Sequence, residues 1–336
     1  CHAVCQTNKI TDGLSECQPS IYAKSSQGKF PPTHEELQLG QPHFKLIQTA
    51  MDGPPMTAIT LGLIAAFAWA FHDICVRAIS QKTPLMAALL TVLIVALVFQ
   101  LGLMGATGAF APIAPKAFWI ALVSGGLFLM ASLGLYGAFQ RGPVRLVAPI
   151  IASYPVLSVL WAVSRGAQIS WFEWATVLLI ILGVSLVAVL ADHSREDIPP
   201  KGPTILLSIM AAFGFAGTFA LGQYAAEISG HMPVTMVTRI FAIVLLITGM
   251  AVLRLPFWPG RQAIVVLVAM GIADGIALLS VLSASGLPDA QYAAVAASSF
   301  GLLTIVMAWA ILGERMTRLQ WLGCALAFAG IGYLAV

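Results

Sequence analysis

From residue 57 onward the chain alternates between apolar runs of about twenty residues and short polar breaks. That is the length an α-helix needs to cross the hydrocarbon of a bilayer. The runs cover about 57–76, 84–104, 118–139, 144–163 and 174–190, then 204–224, 233–253, 263–282, 292–312 and 319–336. Proline, glycine and charge mark the breaks, as in Gln81-Lys82-Thr83-Pro84, Arg141-Gly142-Pro143 and Pro256-Phe257-Trp258-Pro259-Gly260. The longest interior break, Asp192-His193-Ser194-Arg195-Glu196-Asp197 with Pro199-Pro200, falls near the middle of the 51–336 region. The pattern predicts an all-α integral membrane protein of about ten transmembrane helices. Residues 56–191 form its first five-helix half, 192–203 a polar linker and 204–336 its second half.

The halves repeat one another. Gly62-Leu63-Ile64-Ala65-Ala66-Phe67 matches Ser208-Ile209-Met210-Ala211-Ala212-Phe213 at an offset of 211 − 65 = 146. Val147-Ala148 matches Val295-Ala296, and Trp161 matches Trp309, both at 148; Trp174 matches Trp321, and Gly183 matches Gly330, both at 147. Each pair alone is weak, but a near-constant offset across successive runs is the signature of an internal repeat. Five spans is an odd number, so the second half enters the bilayer upside down relative to the first. The expected architecture is two inverted five-helix repeats.

Charge agrees with inversion. Loops one, three, five, seven and nine and their flanks carry ten basic residues: Arg77, Lys82, Arg141, Arg145, Arg195, Lys201, Arg254, Arg261, Arg315 and Arg318. The even loops carry two, Lys116 and Arg165. Basic residues favour the cytoplasmic side, which places the odd loops there and both termini opposite. Composition fits the same solvent: 59% of the residues are hydrophobic and 9% charged, against roughly 25% charged in soluble domains. No basic cluster with interleaved aromatics suggests a nucleic-acid partner.

Residues 1–55 lack such a run until their end; they are polar, turn-rich and aperiodic, and read as a disordered N-terminal segment. Met51 or Met56 is the expected native start. Cys1, Cys5 and Cys17 match no zinc spacing. Cys75 and Cys324 sit in apolar runs as small packing residues. No phosphate loop, His-Glu-x-x-His or paired catalytic cysteines occur, so no enzyme is expected and no cofactor is implied.

Several stretches resemble a known family. They are Ala65-Ala66-Phe67-Ala68-Trp69-Ala70 in the first run and Gln140-Arg141-Gly142-Pro143-Val144-Arg145-Leu146-Val147-Ala148-Pro149 entering the fourth. Leu312-Gly313-Glu314-Arg315 closes the ninth, and Trp321-Leu322-Gly323 with Gly330-Ile331 lies in the tenth. With the two repeats, they make the chain resemble the drug/metabolite transporter superfamily, EamA-like branch, over about 57–336. Where the Gly-Glu pair would recur in the first half stands Arg165-Gly166. The resemblance implies a secondary transporter, often an exporter, of amino acids, amines, sugars, nucleotide derivatives or drugs. It implies a multi-pass protein of the cell membrane, in bacteria the inner membrane. The expected partners are a small metabolite or drug, the lipid bilayer and, as coupling ion, protons. A monomer is compatible with all of this, and the sequence does not set the oligomeric state.

Ionisable groups inside hydrocarbon are costly and tend to face an internal cavity. Asp274, deep in Gly271-Ile272-Ala273-Asp274-Gly275, is the sharpest candidate, either for a substrate ammonium or coupling proton or as a structural acid bonded to a neighbouring helix. Arg239 is read as holding a substrate carboxylate or phosphate, pairing with Asp274, or snorkelling to the interface. His72 is a candidate proton relay. Asp73 is placed for a salt bridge with Arg77 one turn on; His72-Asp73 also reads as an interfacial polar end of the helix, and both residues are candidate substrate contacts. Trp69, Tyr136 and Tyr154, with Phe67, are candidates to line a path; Gln223, Tyr224, Gln291 and Tyr292 are candidate gates. Aromatics at helix ends are also interface anchors. Pro149 and Pro155 predict a bend in the fourth run. Glu314 is read as structural, pairing with Arg315, Arg318 or a loop amide. The rival classes are an integral membrane enzyme acting on lipid-linked substrates, a channel or uniporter, and a non-transporting scaffold. The enzyme requires acids or histidines gathered at one membrane face, and here they are scattered.

Overall fold

The computed structural model describes residues 58–80, 82–164, 170–190, 201–285, 287 and 291–334. The N-terminal cysteines, the Met51 and Met56 starts, most of the linker and Arg165-Gly166 lie outside them. Among the described residues the regular structure is all helical. The helices are α1 (Ala58–Ile79), α2 (Leu85–Thr107), α3 (Pro115–Arg141), α4 (Val144–Ala152), α5 (Tyr154–Ser164) and α6 (Trp171–Leu190). They continue as α7 (Lys201–Ser229), α8 (His231–Val252), α9 (Ile264–Ser283), α10 (Gln291–Ala297), α11 (Phe300–Met307) and α12 (Arg318–Leu334). Among the described residues six segments are long and apolar enough to cross a membrane: α1, α2, α3, α7, α8 and Arg261–Ser283. Val144–Leu157, Trp171–Val187 and Phe300–Leu312 are shorter apolar helices.

Several helix ends fall outside the apolar runs, as at Trp171 and Ser229, and two of the early starts involve proline. Helix α3 starts three residues early, with Pro115 in its first turn, where a missing N–H costs no hydrogen bond. Helix α7 starts at Lys201, so 201–203 belong to it rather than to the linker. Pro203 is tolerated there for the same reason.

The packing is two-fold in pattern. Helix α3 lies against α7 as α1 lies against α9, and α3 against α8 as α2 against α9. Glycines fix the register. A Cβ on Gly125 would stand 2.5 Å from the Thr238 carbonyl oxygen and 3.2 Å from Phe241 Cβ. A Cβ on Gly271 would stand 2.8 Å from the Val92 carbonyl oxygen and 2.6 Å from Val95 Cβ. All three correspondences have one offset: 271 − 125, 238 − 92 and 241 − 95 are each 146. Helices α6 and α12 meet at Gly183 and Gly323, where a Cβ on Gly183 would lie 2.5 Å from the Gly323 carbonyl. Gly330, the repeat mate of Gly183, meets Thr176 in the matching contact. In lipid, where burial gives helices no hydrophobic drive to associate, such close backbone approach is a main source of adhesion.

The fourth run is broken, not merely bent. Pro155 cannot donate to the Ile151 carbonyl, and the helix interrupts at Ser153, whose Oγ donates to the Ile150 carbonyl at 2.7 Å. The ninth run breaks at the equivalent place, although no proline stands there. Ser299 Oγ donates to the Ala296 carbonyl, also at 2.7 Å. Donors and acceptors are again 146 apart (299 − 153 and 296 − 150), which sets the register here two residues off the 148 read from Val147-Ala148. Each serine hydroxyl thereby satisfies its own donor in an apolar medium, on a carbonyl that also accepts the same serine's N–H, at 3.3 Å for Ile150 and 3.1 Å for Ala296.

Loops of like parity gather. At the odd-loop end, both oxygens of Glu314 accept from the first turn of α4, from Val144 N at 3.1 Å and Arg145 N at 3.2 Å. Arg77 donates to the Phe139 carbonyl at 2.9 Å and its Nε stands 3.8 Å from Glu314. Arg145 donates to the Arg315 carbonyl at 3.2 Å. Of the partners expected for Glu314, a backbone amide is the one found. At the even-loop end, Ser229 Oγ accepts from Ala114 N at 3.0 Å, and Gln100 donates to the Met232 carbonyl at 3.0 Å. Large apolar side chains cover the outside, among them Phe67, Trp119, Leu182 and Val265. That is a surface for lipid rather than water.

Candidate functional site

The site forms where α1, α3, α5, α7, α9 and α11 converge. Helix α1 carries Trp69, His72 and Asp73 within one turn, so three polar groups project to one side of an otherwise apolar helix. All three are buried. His72 Nδ1 lies 3.1 Å from Asp73 Oδ1, and His72 Nε2 lies 3.0 Å from the Tyr136 hydroxyl on α3. With Nδ1–H donating to the carboxylate, Nε2 is left to accept from Tyr136, giving a directed chain from hydroxyl to imidazole to acid. Among the described residues, Asp73 Oδ2 has no hydrogen-bond partner, although Asp73 is fully buried.

Asp274 on α9 is committed on both oxygens. Oδ2 accepts from Arg239 on α8 at 2.5 Å, and Oδ1 from the Trp69 indole at 3.4 Å. Arg239 is 0% exposed, so the snorkelling reading is wrong: its neighbours supply a counter-ion inside the bundle, and the side chain need not reach water. The guanidinium also stands 5.4 Å from the centre of the Phe128 ring. The expected Asp73–Arg77 pair is likewise absent. Arg77 is drawn to the Phe139 carbonyl and Glu314 at the helix end, while Asp73 turns inward.

These groups enclose a cavity of about 20 Å³, room for roughly one water molecule. Of the seven residues singled out from sequence, Trp69, His72, Asp73, Tyr136, Tyr154 and Asp274 line it. Arg239 stands behind Asp274. Tyr154, the first residue of α5, donates its hydroxyl to the Ala294 carbonyl of α10, linking the two broken runs. Phe67 is not in the path: it is 66% exposed on the outer face. Neither Tyr224 nor Gln223 lines the cavity: Tyr224 is exposed and accepts from Lys116 at 2.7 Å, and Gln223 donates to the Val281 carbonyl at 3.2 Å. The side chains of Gln291 and Tyr292 lie outside the described residues.

The rest of the lining carries no comparable signal in the sequence: four phenylalanines, four aliphatic residues and Ser132. Trp69 meets Phe219, Phe215 and Phe300 at centroid distances of 5.4, 6.0 and 6.2 Å. Tyr154 meets Phe219 edge-on at 5.2 Å. The repeat offset generates these positions. Adding 146 to Trp69, Asp73 and Tyr154 gives Phe215, Phe219 and Phe300, and subtracting it from Asp274 and Arg239 gives Phe128 and Leu93; all five line the cavity. The cavity therefore sits on the pseudo-two-fold axis, and polar residues on one half face aromatic or apolar mates from the other. Among the described residues no group of three or more His, Cys, Asp or Glu is arranged to hold a metal.

A bundle of long apolar helices, lipid-facing outside and closed around a buried polar and aromatic centre, defines a polytopic helical membrane protein built from two repeats. The EamA-like transporter family matches it twice, over residues 56–189 and 202–336, and the chain belongs to that family, within the drug/metabolite transporter superfamily. The family is one of transporters rather than enzymes. None of the curated proteins matches the chain. A solved structure described only as the crystal structure of a protein superposes with a TM-score of 0.60 at 18% identity, covering 83% of this chain and 99% of its own, and so shares the fold.

Proposed function

We propose that the protein is a proton-coupled secondary transporter that exports small organic metabolites across the cytoplasmic membrane by alternating access. In this reading ten spans form two inverted five-helix repeats, 56–191 and 204–336, with the odd loops in the cytoplasm. The observation that carries it is the position of the cavity: buried on the axis relating the halves, and lined by a carboxylate and aromatic rings from each. Rocking two equivalent halves about such an axis opens the same site to one face and then the other. The segregation of odd-loop and even-loop contacts to opposite ends supports the alternating path of the chain. The small cavity volume supports a closed conformation that must open to admit a metabolite. A carboxylate buried in a low-dielectric centre needs a proton or a cation as company, which makes protons a fitting co-substrate.

The test is counterflow in proteoliposomes over a panel of labelled metabolites, with and without an imposed pH gradient. Saturable uptake stimulated by unlabelled solute inside is expected, and a pH gradient should drive accumulation. Flux that neither saturates nor exchanges would make the protein a channel or a scaffold. Exchange indifferent to the gradient would remove the proton.

A further inference from the structure

Among the described residues, two buried groups at the site keep unpartnered atoms: Arg239 at Nε and Nη2, behind Asp274, and Asp73 at Oδ2, on the cavity itself. Asp274 and Arg239 neutralise one another at 2.5 Å. Arg239 is not a lining residue, and its remaining surface faces the Phe128 ring. An anion entering the cavity would have to displace Asp274 to reach it. Asp73 differs. One oxygen is engaged by His72, and the other is buried at the cavity with no partner among the described residues. An unpaired carboxylate oxygen in an apolar interior costs several kcal/mol, so the site is incomplete as it stands. The walls beside it are the rings of Trp69, Tyr154, Phe215, Phe219 and Phe300. Such faces attract cations and apolar bodies alike, and their two donors, the Trp69 indole and the Tyr154 hydroxyl, are spent on Asp274 and the Ala294 carbonyl.

We infer that the substrate is a compact organic cation, an amine on an apolar or aromatic body. Its ammonium donates to Asp73 Oδ2 and its body lies among the rings of Trp69, Phe215, Phe219 and Phe300. This rests on the transporter reading and narrows it. It also moves the substrate-binding acid from Asp274, which is spent on Arg239, to Asp73.

The purified full-length protein in detergent provides the test, with four probes of similar shape: phenethylamine, the uncharged phenethyl alcohol, the anion phenylacetate and the zwitterion phenylalanine. Binding is read by isothermal titration and by quenching of tryptophan fluorescence. Phenethylamine should bind tighter than the other three by about tenfold or more. Asp73→Asn should lose that preference while keeping the melting profile, and Asp73→Glu should restore part of it. No amine binding, equal or tighter binding of the alcohol, anion or zwitterion, or amine binding that survives Asp73→Asn would overturn the inference. Counterflow separates it from the broader reading. Exchange of neutral or anionic solutes with amines ignored sinks the amine and leaves the transporter; no exchange of any solute sinks both.

Discussion

Asp73 and Asp274 are both buried acids on the same cavity, yet their partners give them different work. Asp274 is held by the fully buried Arg239 and by the Trp69 indole, which reads as architecture between α8, α9 and α1. Breaking such a pair from one side leaves an uncompensated charge and costs about 3–5 kcal/mol, whereas removing both charges costs far less. Arg239→Met and Asp274→Asn should therefore each lower thermal stability in detergent more than the double variant does. Strictly additive losses would show that the pair contributes no coupling. This scale is unevenly legible in the sequence. The seven polar and aromatic candidates were legible because a charge or hydroxyl inside an apolar run is costly and so stands out. Phe215 and Phe219 were not, since a phenylalanine in such a run can face lipid as readily as the core; Phe213, in the same helix, is 56% exposed. The repeat offset was the signal that would have found them: 69 + 146 leads to Phe215 and 73 + 146 to Phe219.

At the scale of elements, the bundle depends on a few places where backbones touch. Gly125 and Gly271 are packed so closely that a methyl group must collide with a carbonyl or a branched side chain, whereas Gly249 in α8 has open space where its Cβ would go. Gly125→Ala should destabilise the protein by about 1–3 kcal/mol, the usual cost of overpacking. Gly249→Ala should be neutral or slightly stabilising, as expected of an unhindered helical position. Equal unfolding midpoints for the two variants would show that the α3–α8 contact is not tight. The broken runs belong to this scale too. The fourth advertises its break through Pro149 and Pro155. The ninth hides the same break in Ser298-Ser299, since paired serines are unremarkable in an apolar helix. Matching geometry from unlike residues points to a break that serves both halves, placing Tyr154 and Phe300 at the cavity wall.

For the whole molecule, the pseudo-two-fold arrangement puts the site on the axis, between a cluster of odd-loop contacts and a cluster of even-loop contacts. The ends are not alike. Glu314 ties the end of the ninth run to the first turn of α4, where a carboxylate is favoured by the exposed amides and the helix dipole. Arg77 joins the same cluster. The corresponding place in the first half reads Arg165-Gly166 and supplies no acid. The two repeats were legible from the near-constant offset, as the double family match bears out. The staple was not, because Glu314 and Val144 are 170 residues apart and nothing local couples them. If the halves rock, this cluster must part once in every cycle. The most direct measurement is counterflow by a protein with cysteines in place of Arg77 and Glu314, in a background with the native cysteines replaced, before and after joining them with a short reducible thiol cross-linker. Alternating access predicts exchange before cross-linking, arrest when the two are joined and recovery on reduction; exchange that continues through the cross-linked protein would contradict it.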